Sequence, residues 1–193
     1  MINSKLDEEL ISKNILLLCG EIDDNLSNKL ISQASMIYMR MQNTFVPKEK
    51  QKITVVINSP GGCVNSGFAI LDFLKSLKVK LEVIVIGKAF SMAAFLLAVL
   101  GEKGARFACP HAEIMIHQPL SGISGQATDL MLHAEHIGKI KQKLNDMLSQ
   151  ATGMSVETVS TKSERDFFMT PNEAKELGLI DDVITDISYL FKE

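Results

Sequence analysis

The chain has 193 residues, the length of one domain or of a domain with an appended arm, and enough to bury a core without staples. Hydrophobic residues at 46% and charged residues at 22% exclude a disordered chain. A formal charge of −3 supplies no basic field, so nucleic acid is not an expected partner.

Residues 1–8 are polar and hold no secretory apolar segment. Ile15, Leu16, Leu17 and Leu18 form a short apolar run closed by Gly20, which predicts a buried strand. A helix opens at Asp24 and Asn25, with Leu26, Leu30, Ile31, Ala34, Ile37 and Tyr38 on one face. A polar loop over residues 43–51 holds Pro47. Residues 53–57 are rich in β-branched side chains and predict a second buried strand, which stops at Asn58-Ser59-Pro60-Gly61-Gly62.

A helix carrying Phe68, Leu71, Leu74 and Leu77 follows, then a strand over residues 81–87. Strand, helix and strand at these lengths predict a βαβ unit and a largely parallel sheet. From Ser91 an all-apolar helix reaches Leu100. The apolar stretch around it is broken at Lys88, and residues 89–100 are too short to span a bilayer, so no membrane association is expected. Residues 105–109 and 114–116 read as further strands.

Residues 126–152 form the longest helical pattern, with Leu130, Ala134, Ile137, Ile140, Leu144 and Leu148 on one side and Gly153 as its stop. Between two α/β parts it reads as a projecting arm that a partner must cover. Thr170-Pro171-Asn172-Glu173 is a capping box that opens a short helix ending before Gly178. Cys19, Cys63 and Cys109 are odd in number and lack the spacing of a zinc or thioredoxin site. Free thiols in a reducing cytosol are expected, and with them a cytoplasmic protein.

Chemistry concentrates at strand ends. Gly61 and Gly62 leave backbone N–H groups unshielded, where ligands of parallel sheets bind. Alone, such a turn is weak evidence. Ser91 stands at the mouth of a helix, where the dipole favours the oxyanion of acyl transfer. A lone serine there is more often an N-cap. His117 closes an apolar strand in Met115-Ile116-His117-Gln118-Pro119. Together they supply a nucleophile, its base and an oxyanion site. His133 and His136 flank Glu135 on the long helix without a third ligand, so an exposed face is expected there and no metal. His111 lies in a polar turn with no expected chemistry.

Asn58-Ser59-Pro60-Gly61-Gly62, residues 87–92, Met115-Ile116-His117-Gln118-Pro119, Gly125-Gln126-Ala127-Thr128-Asp129 and Glu164-Arg165-Asp166 occur in this order in the Clp protease proteolytic subunit family, ClpP. The sequence resembles that family over about residues 5–186. The resemblance implies an α/β fold of ClpP/crotonase type: one domain over residues 1–193, a head with mainly parallel sheets, and a handle over about residues 120–152. It implies a serine endopeptidase without cofactor, acting in protein quality control. Two stacked seven-membered rings, a tetradecamer, would enclose the active sites, and a Clp ATPase unfoldase would feed them polypeptide. ATP would be used by that partner, since no Walker A sequence is present.

By the same resemblance Ser91 is the nucleophile, His117 the general base and then acid, and Asp166 the carboxylate that orients it. Gly62 and Met92 give the oxyanion-hole amides. Glu164 and Arg165 tie the rings together, and residues 120–125 form a strand that lines substrate and meets the opposite ring. The residues by themselves leave Asp166, Asp129 and Asp146 as equal candidates for the orienting carboxylate.

The sequence also departs from the family. The resemblance begins near Lys5, so the family's axial loops are expected to be absent. Thr54, Val56 and Ser76 replace aromatic residues of the outer surface that receive the ATPase, so docking by this subunit alone is expected to be weak. Phe90 stands where a small residue precedes the nucleophile, Ala93 replaces a glycine, and the loop at 43–51 is longer. These differences point to a specialised paralogue working beside a second ClpP subunit. Two other readings are a structural or weakly active ring subunit, and an acyl-CoA enzyme of crotonase type.

Overall fold

The computed structural model describes residues 4–45, 47 and 51–191. Residues 1–3 and part of the expected loop at 43–51 therefore lie outside the described residues. Helix α1 (Ser4–Ser12) leads to β1 (Ile15–Cys19), α2 (Asp24–Gln42), β2 (Lys52–Ser59), α3 (Val64–Ser76), β3 (Lys80–Phe90) and α4 (Met92–Leu100). Then come β4 (Arg106–Ala108), β5 (Glu113–Ile116), α5 (Ala127–Thr152), α6 (Val156–Lys162), β6 (Phe167–Met169), α7 (Pro171–Glu176), β7 (Asp182–Val183) and a 3-10 turn (Ser188–Phe191).

One seven-stranded sheet, mostly parallel, runs β1-β2-β3-β4-β7, and β5 pairs with both β3 and β6. The third strand does not end at Gly87 as the sequence suggests. A register slip between Ile57 and Ser59, with Gly87 at φ 74°, bends it instead. Before the bend Val83 pairs with Arg106 of β4; after it Ala89 pairs with Ile114 of β5. A bulge thus lets one strand serve two neighbours and carries it to the residue before Ser91.

Helices α2, α3 and α4 cover one face of the sheet, where Leu30, Ile37, Ile70, Leu74 and Leu96 are buried against Leu16, Ile53 and Ile57. The other face is closed by the chain's own end. Leu190 lies over Ile15, Val56 and Ile84, with Leu10 and Ile187 beside it. Val56 is therefore buried, and Thr54 is buried as well, although the resemblance places both on the outer surface. Central parallel strands need both faces covered, and a segment distant in sequence does so here. Thr54 Oγ1 donates to Glu82 Oε1 at 3.0 Å, and Lys52 Nζ reaches the same oxygen at 2.9 Å. The Tyr189 phenol, pushed up to about 12 by burial and by Glu82, stays neutral beside them. Ser76 is exposed.

Only the C-terminal end of α5 is rooted in the core, through Leu148 and Asn145, while Leu130, Met131 and Leu132 are exposed near its other end. Residues 120–125 are not a strand. A strand needs a neighbour to accept its hydrogen bonds, and none within the described residues borders this segment. Ser121 Oγ instead hydrogen bonds His133 Nε2 at 2.7 Å. At the root of the arm, the buried Arg106 guanidinium donates to the carbonyls of Ala98, Ala151 and Gly178 and pairs with Asp181 at 2.6 Å. The capping box at Thr170 and Glu173 forms as the sequence predicts.

Candidate active site

Three adjacent strands deliver three side chains to one place. Phe90 is the last residue of β3 and pairs with Met115 of β5. The next N–H, that of Ser91, donates to the Met115 carbonyl at 2.8 Å. His117 follows β5 and Asp166 precedes β6, and the antiparallel pairing of Ile116 with Phe167 brings the two together. His117 Nε2 lies 2.8 Å from Ser91 Oγ, and His117 Nδ1 lies 2.8 Å from Asp166 Oδ1. Asp129 and Asp146, open alternatives in the sequence, do not hydrogen bond His117. The His117 side chain is 14% exposed and that of Asp166 58%, so the carboxylate sits at the rim within this single chain.

Ser91 occupies the N-cap position of α4 but makes no side-chain cap bond. The hydroxyl faces the imidazole instead, which separates this serine from an ordinary cap. Its backbone has φ 55° and ψ −122°, a conformation that costs a non-glycine residue about 1–3 kcal/mol. A sharp strand-to-helix turn of this kind projects the hydroxyl away from the sheet end. Behind Ser91, α4 is buried almost throughout, so the turn stands on a rigid base.

The Gly61–Gly62 turn lies against that serine. A Cβ on Gly61, at φ 90°, would stand 2.5 Å from the Phe90 carbonyl oxygen and 2.8 Å from Ser91 Cβ. A Cβ on Gly62, at φ 147°, would meet the Ile22 carbonyl oxygen at 2.3 Å. Only glycine fits either position. Ile22 donates to the Gly61 carbonyl at 2.8 Å and accepts from the Cys63 N–H at 2.7 Å, a short bridge that turns Gly62's own N–H to the opposite side. Among the described residues, the N–H groups of Gly62 and Met92 have no protein acceptor. Ser59 Oγ steadies the turn by accepting the Gly61 N–H at 3.0 Å.

A hydroxyl bonded to an imidazole, an imidazole bonded to a carboxylate, and free amides beside the hydroxyl are the parts of nucleophilic acyl transfer. The carboxylate holds Nδ1 protonated, which leaves Nε2 as an acceptor for the serine proton. A family model for Clp protease matches residues 2–186, and the chain belongs to that family. It is a peptidase of ClpP type. That match does not extend to the acyl-CoA reading.

Other sequence-marked residues lie elsewhere. Glu164 and Arg165 are exposed next to Asp166; the Glu164 carbonyl accepts from Gln118 Nε2 at 2.9 Å, and neither side chain forms an ion pair among the described residues. Phe90 stacks edge-on against Phe168, with ring centroids 5.6 Å apart, and Ala93 is buried in α4. Among the described residues no group of three or more His, Cys, Asp or Glu could hold a metal ion, and no helix is long and apolar enough to cross a membrane.

Proposed function

We propose that this chain is a serine endopeptidase of the Clp machinery, with Ser91 as nucleophile. The observation that carries the reading is the continuous pair of 2.8 Å bonds from Ser91 through His117 to Asp166. Ser91 Oγ attacks the peptide carbonyl carbon while its proton passes to His117 Nε2. Gly62 and Met92 donate N–H bonds to the resulting oxyanion, aided by the N-terminal end of α4. His117 then protonates the departing amine and the acyl-enzyme forms. Water attacks that ester with His117 again as base, releasing the carboxyl product and the free serine. Asp166→Asn tests the relay: kcat should fall about 100- to 10,000-fold with little change in KM. A kcat within threefold of wild type contradicts it.

The chamber reading rests on what the single chain leaves uncovered. Leu120, Met131 and Leu132 are exposed on and before α5, and the stretch at 120–125 has no strand partner among the described residues. Stacked rings of this chain, alone or mixed with a second ClpP paralogue, would cover both. Arg165, unpaired among the described residues, would find its carboxylate in the facing ring. It lines a cavity of about 410 Å³ with His117, Glu164 and Asp166. Arg165→Ala should therefore lower both the sedimentation coefficient of the assembly and its peptidase rate. Unchanged sedimentation together with an unchanged rate contradicts that coupling.

A Clp ATPase would supply unfolded polypeptide in the cytoplasm. Thr54 and Val56 are buried, the latter beneath Leu190, and Ser76 offers only a hydroxyl, so this subunit lacks aromatic anchors at those positions. The homomer should bind the ATPase weakly, and adding the second subunit should raise affinity at least tenfold through avidity. Submicromolar binding by the homomer alone contradicts this.

A further inference from the structure

Past the pair Ile116 and Phe167, a regular antiparallel ladder between β5 and β6 would set His117 opposite Asp166 and Gln118 opposite Arg165. The ladder breaks there. The Gln118 N–H donates instead to the Ser163 carbonyl at 2.6 Å, two residues farther along the facing segment. Its side chain donates through Nε2 to the next carbonyl, that of Glu164, at 2.9 Å. Glu164 and Arg165 thus bulge outward as exposed residues, and Gln118 closes the base of the bulge with main chain and side chain together.

The Gln118 amide has one workable orientation. Its Oε1 accepts from Lys141 Nζ of α5 at 3.0 Å, and a lysine offers only donors. A carbonyl only accepts, so Nε2 faces Glu164. Pro119 restricts the Gln118 backbone to extended conformations, which keeps the clamp in reach. What the clamp secures is Asp166. That carboxylate is 58% exposed and, among the described residues, its side chain bonds only His117. With no second bond to orient it, its place depends on its own backbone. The pairing of β6 holds that backbone on one side, and Gln118 holds it on the other.

We infer that Gln118 is a positioning residue for acyl transfer, fixing the segment before Asp166 so that the carboxylate meets His117 Nδ1. The inference rests on the peptidase reading of Ser91. Without the clamp the bulge relaxes, and Asp166 holds the productive tautomer of His117 for less of the time. Gln118 acts only through Asp166, so the loss falls on kcat and not on KM.

The test is a double-mutant cycle on the full chain, read as kcat and KM for a fluorogenic peptide. Gln118→Met keeps the length of the side chain and loses both of its bonds. It should lower kcat about 10- to 100-fold with KM within about twofold of wild type. In an Asp166→Ala background the same substitution should change kcat by less than about twofold, because the group it positions is gone. Gln118→Glu keeps the Lys141 pair but loses the bond to the Glu164 carbonyl, and should behave as Gln118→Met does. Equal losses in the two backgrounds, the result of a general loosening of the fold, overturn the inference. A wild-type kcat in either folded variant overturns it too, as does failure of both variants to fold, since Gln118 would then serve the fold alone. Fluorophosphonate labelling of the wild type separates the two levels. A labelled Ser91 with equal losses refutes only the role of Gln118, whereas no label and no cleavage refutes the peptidase reading and this inference with it.

Discussion

Ser91→Ala is expected to abolish peptide hydrolysis while leaving folding and assembly unchanged. The substitution removes only Oγ, the atom 2.8 Å from His117 Nε2. Loss of such a nucleophile costs on the order of 10³- to 10⁶-fold in kcat, because only the oxyanion amides and substrate binding remain. The backbone at φ 55° is held by Met115 and by the first turn of α4, not by the hydroxyl, so the turn should persist. Turnover of a fluorogenic peptide by purified protein is the measurement, with sedimentation as the control. More than about a tenth of wild-type turnover would show that another group is the nucleophile.

Arg106→Ala should give the largest loss of stability. The guanidinium is nearly buried and bonds Asp181 through Nε at 2.9 Å and through a terminal nitrogen at 2.6 Å. The other terminal nitrogen reaches the carbonyls of Gly178 at 2.8 Å, Ala151 at 3.1 Å and Ala98 at 3.4 Å. It thus joins the ends of α4 and α5 to the turn after α7. Alanine would leave a partly buried carboxylate without its cation and several carbonyls without a donor. Breaking such a pair costs about 3 kcal/mol, at the lower end for buried ion pairs because Asp181 keeps some exposure.

Burial alone would raise the Asp181 carboxyl, but the hydrogen bonds and charge of Arg106 outweigh it and hold the group below its ordinary value. A depressed carboxyl contributes stability that is complete above its unfolded pKa of about 3.9 and is lost as pH falls through the folded value. The difference between wild type and variant in urea should therefore be full at neutral pH and shrink under acid below about pH 4. A difference under about 1 kcal/mol at neutral pH would mean that Arg106 does not hold the arm's root.

Local patterns in the sequence carried the secondary structure wherever chemistry and period agreed. The β-branched run of β2, the capping box at Thr170 and the apolar stripe of α5 each name their element from a few neighbouring residues. Ser91 and His117 were legible as strand-end residues because apolar strands lead into both. Asp166 was not separable from Asp129 or Asp146 on those grounds. Its position depends on β6 pairing antiparallel with β5, a tertiary contact between strands that are each only a few residues long. The run at 53–57 reads as a buried strand, and the structure buries Thr54 and Val56, the latter beneath Leu190, a residue distant in sequence; their expected place on the outer surface came from the resemblance alone. The course of β3 past Gly87 depends on a change of partner strand. Residues 120–125 have no strand neighbour among the described residues, so the expected strand does not form there. The clamp made by Gln118 escaped notice because it, too, depends on how β5 meets β6. Helix α6, whose buried side chain is Val159, offered little periodicity to read.

The central claim is that Ser91 is a serine activated by His117. Intact-mass measurement after treatment with a fluorophosphonate tests it most directly. One adduct per chain, mapped to Ser91 by peptide sequencing, lost in Ser91→Ala and strongly slowed in His117→Ala, is the predicted result. An unmodified protein, or an adduct that persists at equal rate in both variants, would contradict it.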